Sequence, residues 1–109
     1  MTIQKIETEE QFEELLKRSS FFLLKHSLTC PVSGAAFEEY QKFAEENPDL
    51  DTVYLAVQEA RPLSNYIAEK FHVKHESPQA ILFKNGDVAW HTSHWKITKK
   101  SLNQAISEE

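Results

Sequence analysis

The sequence is poor in several features that would point to particular protein classes. It has 1 cysteine and 2 glycines among 109 residues. A single cysteine excludes an internal disulfide framework, and so little glycine argues against a long flexible linker. The longest apolar stretch, Phe21 to Leu24, is far too short to cross a bilayer. The length is about that of one compact domain, so we expect residues 1–109 to form a single domain.

Charge gives a second set of exclusions. The net charge is -5 and no long run of lysine or arginine is present. Nucleic-acid binding through the phosphate backbone needs a basic face, so we expect no nucleic-acid partner. The polar, acidic stretch from Met1 to Glu10 does not resemble a secretory signal. With one cysteine and no apolar span, we expect a cytoplasmic protein in a reducing compartment, without a membrane partner.

Apolar periodicity predicts alternating strands and helices. Thr8 and Gln11 form a capping-box pattern, and Asn85-Gly86 is a strong signal for a tight hairpin. A strand, a helix and a second strand make a parallel unit, and the hairpin adds antiparallel strands. The order predicts an α/β protein with a thioredoxin-like fold, a central mixed sheet flanked by helices. The predicted elements are a strand around Thr2 to Ile6, a helix over Thr8 to Arg18, a strand at Phe21 to Leu24, a helix from Pro31 to about Asn47, a strand at Thr52 to Val57, a helix over Pro62 to Phe71, strands at Gln79 to Lys84 and Asp87 to Thr92, and a last helix capped by Thr98.

Cys30 lies where a thiolate would be favoured. It follows a predicted buried strand and precedes a helix opened by Pro31. A thiol at that place meets the unpaired N–H groups and the positive dipole end of the helix, and both favour the nucleophilic thiolate. Ser33 lies one turn further on, where its hydroxyl could donate to the sulfur. The alternative is a cysteine that merely packs as a small apolar side chain, and local sequence leaves both open.

Two further features have a structural and a functional interpretation. Ser77-Pro78 precedes a predicted strand, where proline is tolerated at the first position; a cis bond there would free the backbone of Ser77 to pair with a substrate. The pairs His72/His75 and His91/His94 have ligand-like spacing. A structural zinc site usually needs cysteines or a tighter set of four ligands, so we expect no metal.

The stretch Thr29-Cys30-Pro31-Val32-Ser33 resembles the glutaredoxin active site T-C-P-Y-C, with Ser33 in place of the second cysteine. Together with Ser77-Pro78 and the element order, the whole chain resembles the monothiol bacilliredoxins, a small family with a T-C-P motif. This resemblance implies a thiol–disulfide oxidoreductase that removes bacillithiol from S-bacillithiolated protein cysteines. Cys30 would be the nucleophile and would form a mixed disulfide with bacillithiol, the thiol co-substrate.

The same resemblance implies roles for the neighbouring residues and for partners. Thr29 and Pro31 would shape the site, Ser33 would support the thiolate, and Ser77 with Pro78 would hold the substrate backbone. Because bacillithiol carries malate carboxylates, we expect positive charge or donors nearby; Lys25, Lys74 and His75 are the candidates. The expected partners are S-bacillithiolated client proteins, and bacillithiol or another bacilliredoxin as reductant. We expect a monomer or a weak dimer.

Departures from glutaredoxin sequences bear on the ligand. Glutaredoxins usually have a lysine where this chain has Ser27, and a Gly-Gly…Asp motif where it has His91 to Trp95. These differences disfavour glutathione. Cluster-binding monothiol glutaredoxins use C-G-F-S, whereas this chain has C-P-V-S. An iron–sulfur module bridged through Cys30, and a stress-induced, redox-sensing adaptor, remain the alternative functions.

Overall fold

A computed structural model of the chain describes residues 3–108. This part of the chain contains five strands and four α-helices, and Thr2, at the start of the predicted first strand, lies outside the described residues. The elements are β1 (Ile3–Lys5), α1 (Glu9–Leu16), β2 (Ser20–His26), α2 (Pro31–Glu46), β3 (Asp51–Ala56), α3 (Arg61–Phe71), β4 (Gln79–Lys84), β5 (Asp87–Ser93), a short 3₁₀ helix (His94–Lys96) and α4 (Lys99–Glu108).

The strands form one mixed sheet in the order β1-β3-β2-β4-β5. β1, β3 and β2 are parallel, whereas β4 runs antiparallel to β2 and β5 antiparallel to β4. The parallel β2–α2–β3 unit and the terminal hairpin confirm the predicted thioredoxin-like architecture. In this arrangement the carboxyl ends of β2 and β3 and the beginning of β4 meet at one edge of the sheet.

Alternation along β2 divides the interior into two cores. Phe21 and Leu23 join a cluster with α1 and α3 on one face, and Phe22 and Leu24 join a cluster with α2 and α4 on the other. Both faces are covered, which explains why this strand has a continuous apolar sequence. The same alternation directs Lys25 toward α3 and His26 toward α2, where the His26 ring contacts Phe37.

The predicted helix and turn signals have the expected geometry. Thr8 and Gln11 form the reciprocal hydrogen bonds of a capping box at the start of α1. Asn85 and Gly86 both have positive φ, 53° and 81°, as the tight hairpin requires. At the start of α4, Ser101 N–H donates to Thr98 Oγ1 and Thr98 N–H donates to Ser101 Oγ.

Some element boundaries differ from the prediction. α1 ends at Leu16 because Lys17 N–H and Arg18 N–H bond to Glu14 and Leu15 carbonyls three residues back. β2 extends to His26 because Lys25 pairs with Leu55 on one side and Gln79 on the other. The 3₁₀ helix after β5 was not predicted. No helix within residues 3–108 is long and apolar enough to span a membrane.

Candidate active site

The candidate active site lies at the sheet edge where β2 and β3 end and β4 begins. Cys30 follows β2 after a short segment, Ser27–Thr29, and Ser77-Pro78 immediately precedes β4. Lys25, near the end of β2, is directly opposite Gln79, the first residue of β4. This pairing brings the cysteine segment and the proline loop to the same edge, as the sequence indicated.

Cys30 is the N-cap residue of α2. Its backbone is extended, with φ -100° and ψ 124°, and Pro31 is the first residue of the helix. Ser33 N–H and Gly34 N–H donate to the Cys30 carbonyl at 3.0 and 3.3 Å. The thiol is free and partly exposed. The N-terminus of a helix favours negative charge, so the N-cap is a position at which a cysteine thiolate is favoured.

Ser33, which stands where a dithiol redoxin has its second cysteine, is completely buried. Its Oγ accepts a hydrogen bond from Ser27 N–H at 3.0 Å. Ser33 therefore connects the first turn of α2 to the segment before Cys30. Donation of the Ser33 hydroxyl proton to the Cys30 sulfur stays a prediction.

Gln58, which no sequence pattern singled out, contacts all three residues of the Ser27–Thr29 segment. Its Oε1 accepts from Leu28 N–H at 3.0 Å, and its Nε2 donates to Ser27 Oγ at 3.0 Å and to Thr29 Oγ1 at 3.4 Å. The available signal was its position: it lies two residues after β3, and the ends of β3 and β2 meet at this edge. Thr29 is one of the residues that Gln58 contacts, and its role in shaping the site stays a prediction.

The proline loop is held on several sides. The Ser77-Pro78 peptide bond is cis. Pro78 O accepts from His94 N–H at 3.0 Å, and the buried Gln79 side chain donates to Lys74 O at 3.0 Å. Ser77 Oγ is buried and has no hydrogen-bond partner among the described residues. The role of Ser77 and Pro78 in holding a substrate backbone stays a prediction.

Lys25 has no exposed surface, although it was predicted to contact substrate. Its Nζ donates to Ser64 O at 3.1 Å and lies 3.3 Å from His75 Nδ1, which is also 3.1 Å from Ser64 Oγ. Burial lowers the pKa of Lys25 to about 8. Burial, followed by the charges of Lys25 and Arg61, lowers the pKa of His75. Lys25 therefore supports the loop before β4, and direct substrate contact would require its ammonium to be uncovered.

The histidine pairs do not form a metal centre in the part of the chain that the structure describes. No group of three or more histidine, cysteine, aspartate or glutamate side chains is placed to hold an ion there. His75 belongs to the buried cluster with Lys25, whereas His94 Nδ1 lies 3.3 Å from a Glu76 carboxylate oxygen. His75 and His94, one from each pair, therefore contact different residues.

Comparison with known families identifies the family of this chain. The family model described as "Monothiol bacilliredoxin BrxC" matches residues 4–102. The chain belongs to the monothiol bacilliredoxin family BrxC. The predicted family is therefore confirmed, and Cys30, the only cysteine in the chain, is the sole residue through which this bacilliredoxin family member could react as a thiol.

Solved structures agree with this assignment. A chain described as a putative oxidoreductase with a thioredoxin fold is 46% identical, with a TM-score of 0.91 over 99% of this chain and 95% of its own. A mutant thioredoxin of Entamoeba histolytica, 17% identical, has a TM-score of 0.77 over 99% and 100% of the two chains. A Trypanosoma brucei brucei thioredoxin, 16% identical, has a TM-score of 0.79 over 98% and 89%. The thioredoxins show the fold, and the first match supports a thioredoxin-fold oxidoreductase.

Proposed function

We propose that this chain removes bacillithiol from S-bacillithiolated client proteins by monothiol exchange through Cys30. The observation that carries the proposal is the placement of the only cysteine at the N-cap of α2, with buried Ser33 at the position of a second cysteine. An intramolecular disulfide is impossible, so the reaction has to pass through a mixed disulfide with another molecule. Membership of the bacilliredoxin family supports bacillithiol as that molecule.

The exchange balances in two steps. The Cys30 thiolate attacks the bacillithiol sulfur of the client's mixed disulfide, that S–S bond breaks, and the client thiolate leaves and takes up a proton. Bacillithiol is then bound to Cys30 by a new S–S bond. A second bacillithiol thiolate attacks the bound bacillithiol sulfur, which releases the Cys30 thiolate and forms bacillithiol disulfide. Overall, the client cysteine is reduced and the second bacillithiol is oxidised, because the first bacillithiol was already part of a disulfide; another bacilliredoxin could replace the second thiol.

The position of Cys30 at the N-terminus of α2 supports both exchange steps. Both exchange steps begin or end with negative charge on the sulfur of Cys30, the N-cap residue of α2, and the N-terminus of a helix favours negative charge. Pro31 begins the helix without an N–H of its own, and its fixed φ suits this first position. The site therefore stabilises Cys30 as attacking group in the first step and as leaving group in the second.

A client carrying one S-bacillithiolated cysteine tests the proposal. With bacillithiol present, the wild type should release the reduced client, and mass spectrometry without bacillithiol should find a bacillithiol adduct on Cys30. The Cys30→Ala variant should do neither, while Ser107→Ala, on exposed α4 surface, should behave as wild type. Failure to release the client, equal release by Cys30→Ala, or a cluster-like absorbance in anaerobically purified protein would contradict the proposal.

A further inference from the structure

The segment between β2 and Cys30 is held mainly by the side chain of Gln58, which lies in the connection between β3 and α3. Ser27, Leu28 and Thr29 have no helix or strand ladder of their own. Leu28 and Thr29 are exposed, so core packing does not hold them. Gln58 contacts each of the three residues through its terminal amide.

The contacts define a single orientation of the Gln58 amide. Leu28 N–H can only donate, so the atom 3.0 Å from it has to be the carbonyl oxygen. The amide nitrogen then faces Ser27 Oγ and Thr29 Oγ1 and can donate a separate hydrogen to each. Rotating the amide by half a turn would replace the bond to Leu28 N–H with two opposed donors, the Leu28 N–H and the Gln58 amide nitrogen.

The backbone that carries Gln58 is itself well anchored. Val57 N–H donates to His26 O at 2.8 Å, which joins the ends of β2 and β3. Glu59 N–H and Ala60 N–H both donate to Ala56 O at 2.9 Å, which closes a turn around Gln58. The amide therefore projects from a fixed point onto the segment that leads to the reactive cysteine.

We propose that Gln58 is a positioning residue for thiol exchange, which holds the Ser27–Thr29 segment and thereby keeps the Cys30 sulfur at the N-terminus of α2. The inference rests on the proposed function only in taking Cys30 as the reacting thiol. Without the amide, the segment would sample other conformations, and the sulfur would spend less time where the helix stabilises its negative charge.

The test compares Gln58→Ala, Gln58→Met and the wild type. Methionine keeps most of the side-chain volume but neither hydrogen-bonding end. Both variants should react about five- to tenfold more slowly with an S-bacillithiolated client, the effect expected of losing a few partly exposed hydrogen bonds. The pH at which iodoacetamide alkylation reaches half its maximal rate should also rise. Gln104→Ala, an exposed glutamine on α4, should match the wild type in both measurements.

Two further measurements separate positioning from a general loss of structure. The Leu28 amide should exchange with solvent faster in both Gln58 variants, while amides in β2 and β4 keep their protection. Adding Ser27→Ala to Gln58→Ala should slow the reaction no further, because the two groups share one contact. Client-release and alkylation rates within twofold of wild type, or fully additive losses in the double variant, would overturn the inference.

The alkylation measurements test the role of Gln58 independently of the proposed function. Iodoacetamide reports on the Cys30 thiolate whether or not bacillithiol is the co-substrate. If the wild type is alkylated but releases no client, the proposed function fails, and the Gln58 variants still confirm or overturn positioning through their alkylation profiles.

Discussion

The hydroxyl of Ser33 joins the two sides of the thiol site. Its oxygen accepts from Ser27 N–H at 3.0 Å, and the side chain has no exposed surface. A partly buried N–H that loses its acceptor costs about 1 to 3 kcal/mol. The residue that removes dithiol chemistry from this chain therefore also stabilises the segment before the thiol.

We predict that Ser33→Ala lowers the free energy of unfolding by about 1 kcal/mol, because Ser27 N–H loses its partner. If the hydroxyl also donates to the Cys30 sulfur, alkylation of Cys30 should slow as well. Urea unfolding and iodoacetamide kinetics measure the two effects. Ser107→Ala, which removes an exposed hydroxyl bonded to Asn103 O, is the control and should change stability by less than about 0.5 kcal/mol. Equal stability of the two variants would contradict the role of Ser33.

Lys25 gives stability an unusual dependence on alkaline pH. Its pKa is lowered to about 8 by burial, whereas an unfolded lysine titrates near its ordinary value of 10.5. Below pH 8 the folded and unfolded chains both carry the charge, and folding includes the cost of burying it. Between pH 8 and 10.5 only the unfolded chain holds the proton, so the contribution of Lys25 to stability rises with pH.

We predict that the difference in unfolding free energy, wild type minus Lys25→Met, increases by about 2 kcal/mol from pH 8 to pH 10. The variant lacks the titrating group, so other groups cancel in the difference. Urea unfolding at pH 7, 8, 9 and 10 measures it. A difference that stays constant over this range would show that the ammonium is solvated in the folded protein.

At the scale of elements, the two glycines occupy opposite conformations. Gly86 has φ +81° in the β4–β5 turn, whereas Gly34 lies inside α2, where an added Cβ would meet no described atom within 4 Å apart from its chain neighbours and the backbone of its own helix. A left-handed conformation costs a residue with a Cβ about 1 kcal/mol or more, while alanine inside a helix is more stable than glycine.

We predict opposite signs for the same substitution at these positions. Gly86→Ala should lower the unfolding free energy by about 1 kcal/mol, and Gly34→Ala should raise it by about 0.5 kcal/mol. Chemical denaturation of both variants beside the wild type measures the pair. Destabilisation of similar size at both positions would contradict the conformational explanation.

Local signals account for the elements that the sequence predicted well. β4 was predicted with its observed bounds, Gln79–Lys84, because Pro78 precedes it and Asn85-Gly86 ends it. The end of β2 was missed because a lysine is not expected in a strand buried on both faces. Lys25 can be buried at this place only because its ammonium contacts Ser64 and His75, which lie 39 and 50 positions away in sequence.

In the candidate site, too, the features set by local sequence were predictable, whereas those set by contacts between distant residues were not. The positions of Cys30, Pro31 and the proline loop follow from the order of elements, so the sequence could predict them. The contacts of Gln58 depend on how the ends of β2 and β3 align, which no local pattern specifies. Lys25 was correctly placed near this edge, but its direction depends on the alternation along β2, which the predicted strand did not reach.

At the scale of the whole molecule, two partly buried histidines lower the stability of the protein at acid pH. Burial lowers the pKa of His26 and of His75 in the folded protein. As pH falls through the ordinary histidine value of 6.5, the unfolded chain binds protons that the folded chain does not. The free energy of unfolding therefore decreases with falling pH, and above pH 7 this contribution disappears.

We predict that stability declines from pH 7 to pH 5, and that His75→Gln makes the decline shallower by removing one of these groups. His91→Gln, at an exposed position of β5, is the control and should leave the slope close to that of wild type. Urea unfolding at half-unit pH steps measures the slopes. Identical slopes for His75→Gln and the wild type would contradict a lowered pKa of His75 in the folded protein.

The five positions from Lys25 to Thr29 make one stretch of this chain intolerant of changes in length. Lys25 has to face α3 and His26 α2, while the next three residues have to match the amide of Gln58. One inserted or deleted residue would turn Lys25 and His26 to the opposite faces of the sheet, or would move the next three residues out of contact with the Gln58 amide. Over evolutionary time we therefore expect homologues to vary in length at the chain ends and between other elements, and to keep the interval from Lys25 to Cys30 constant.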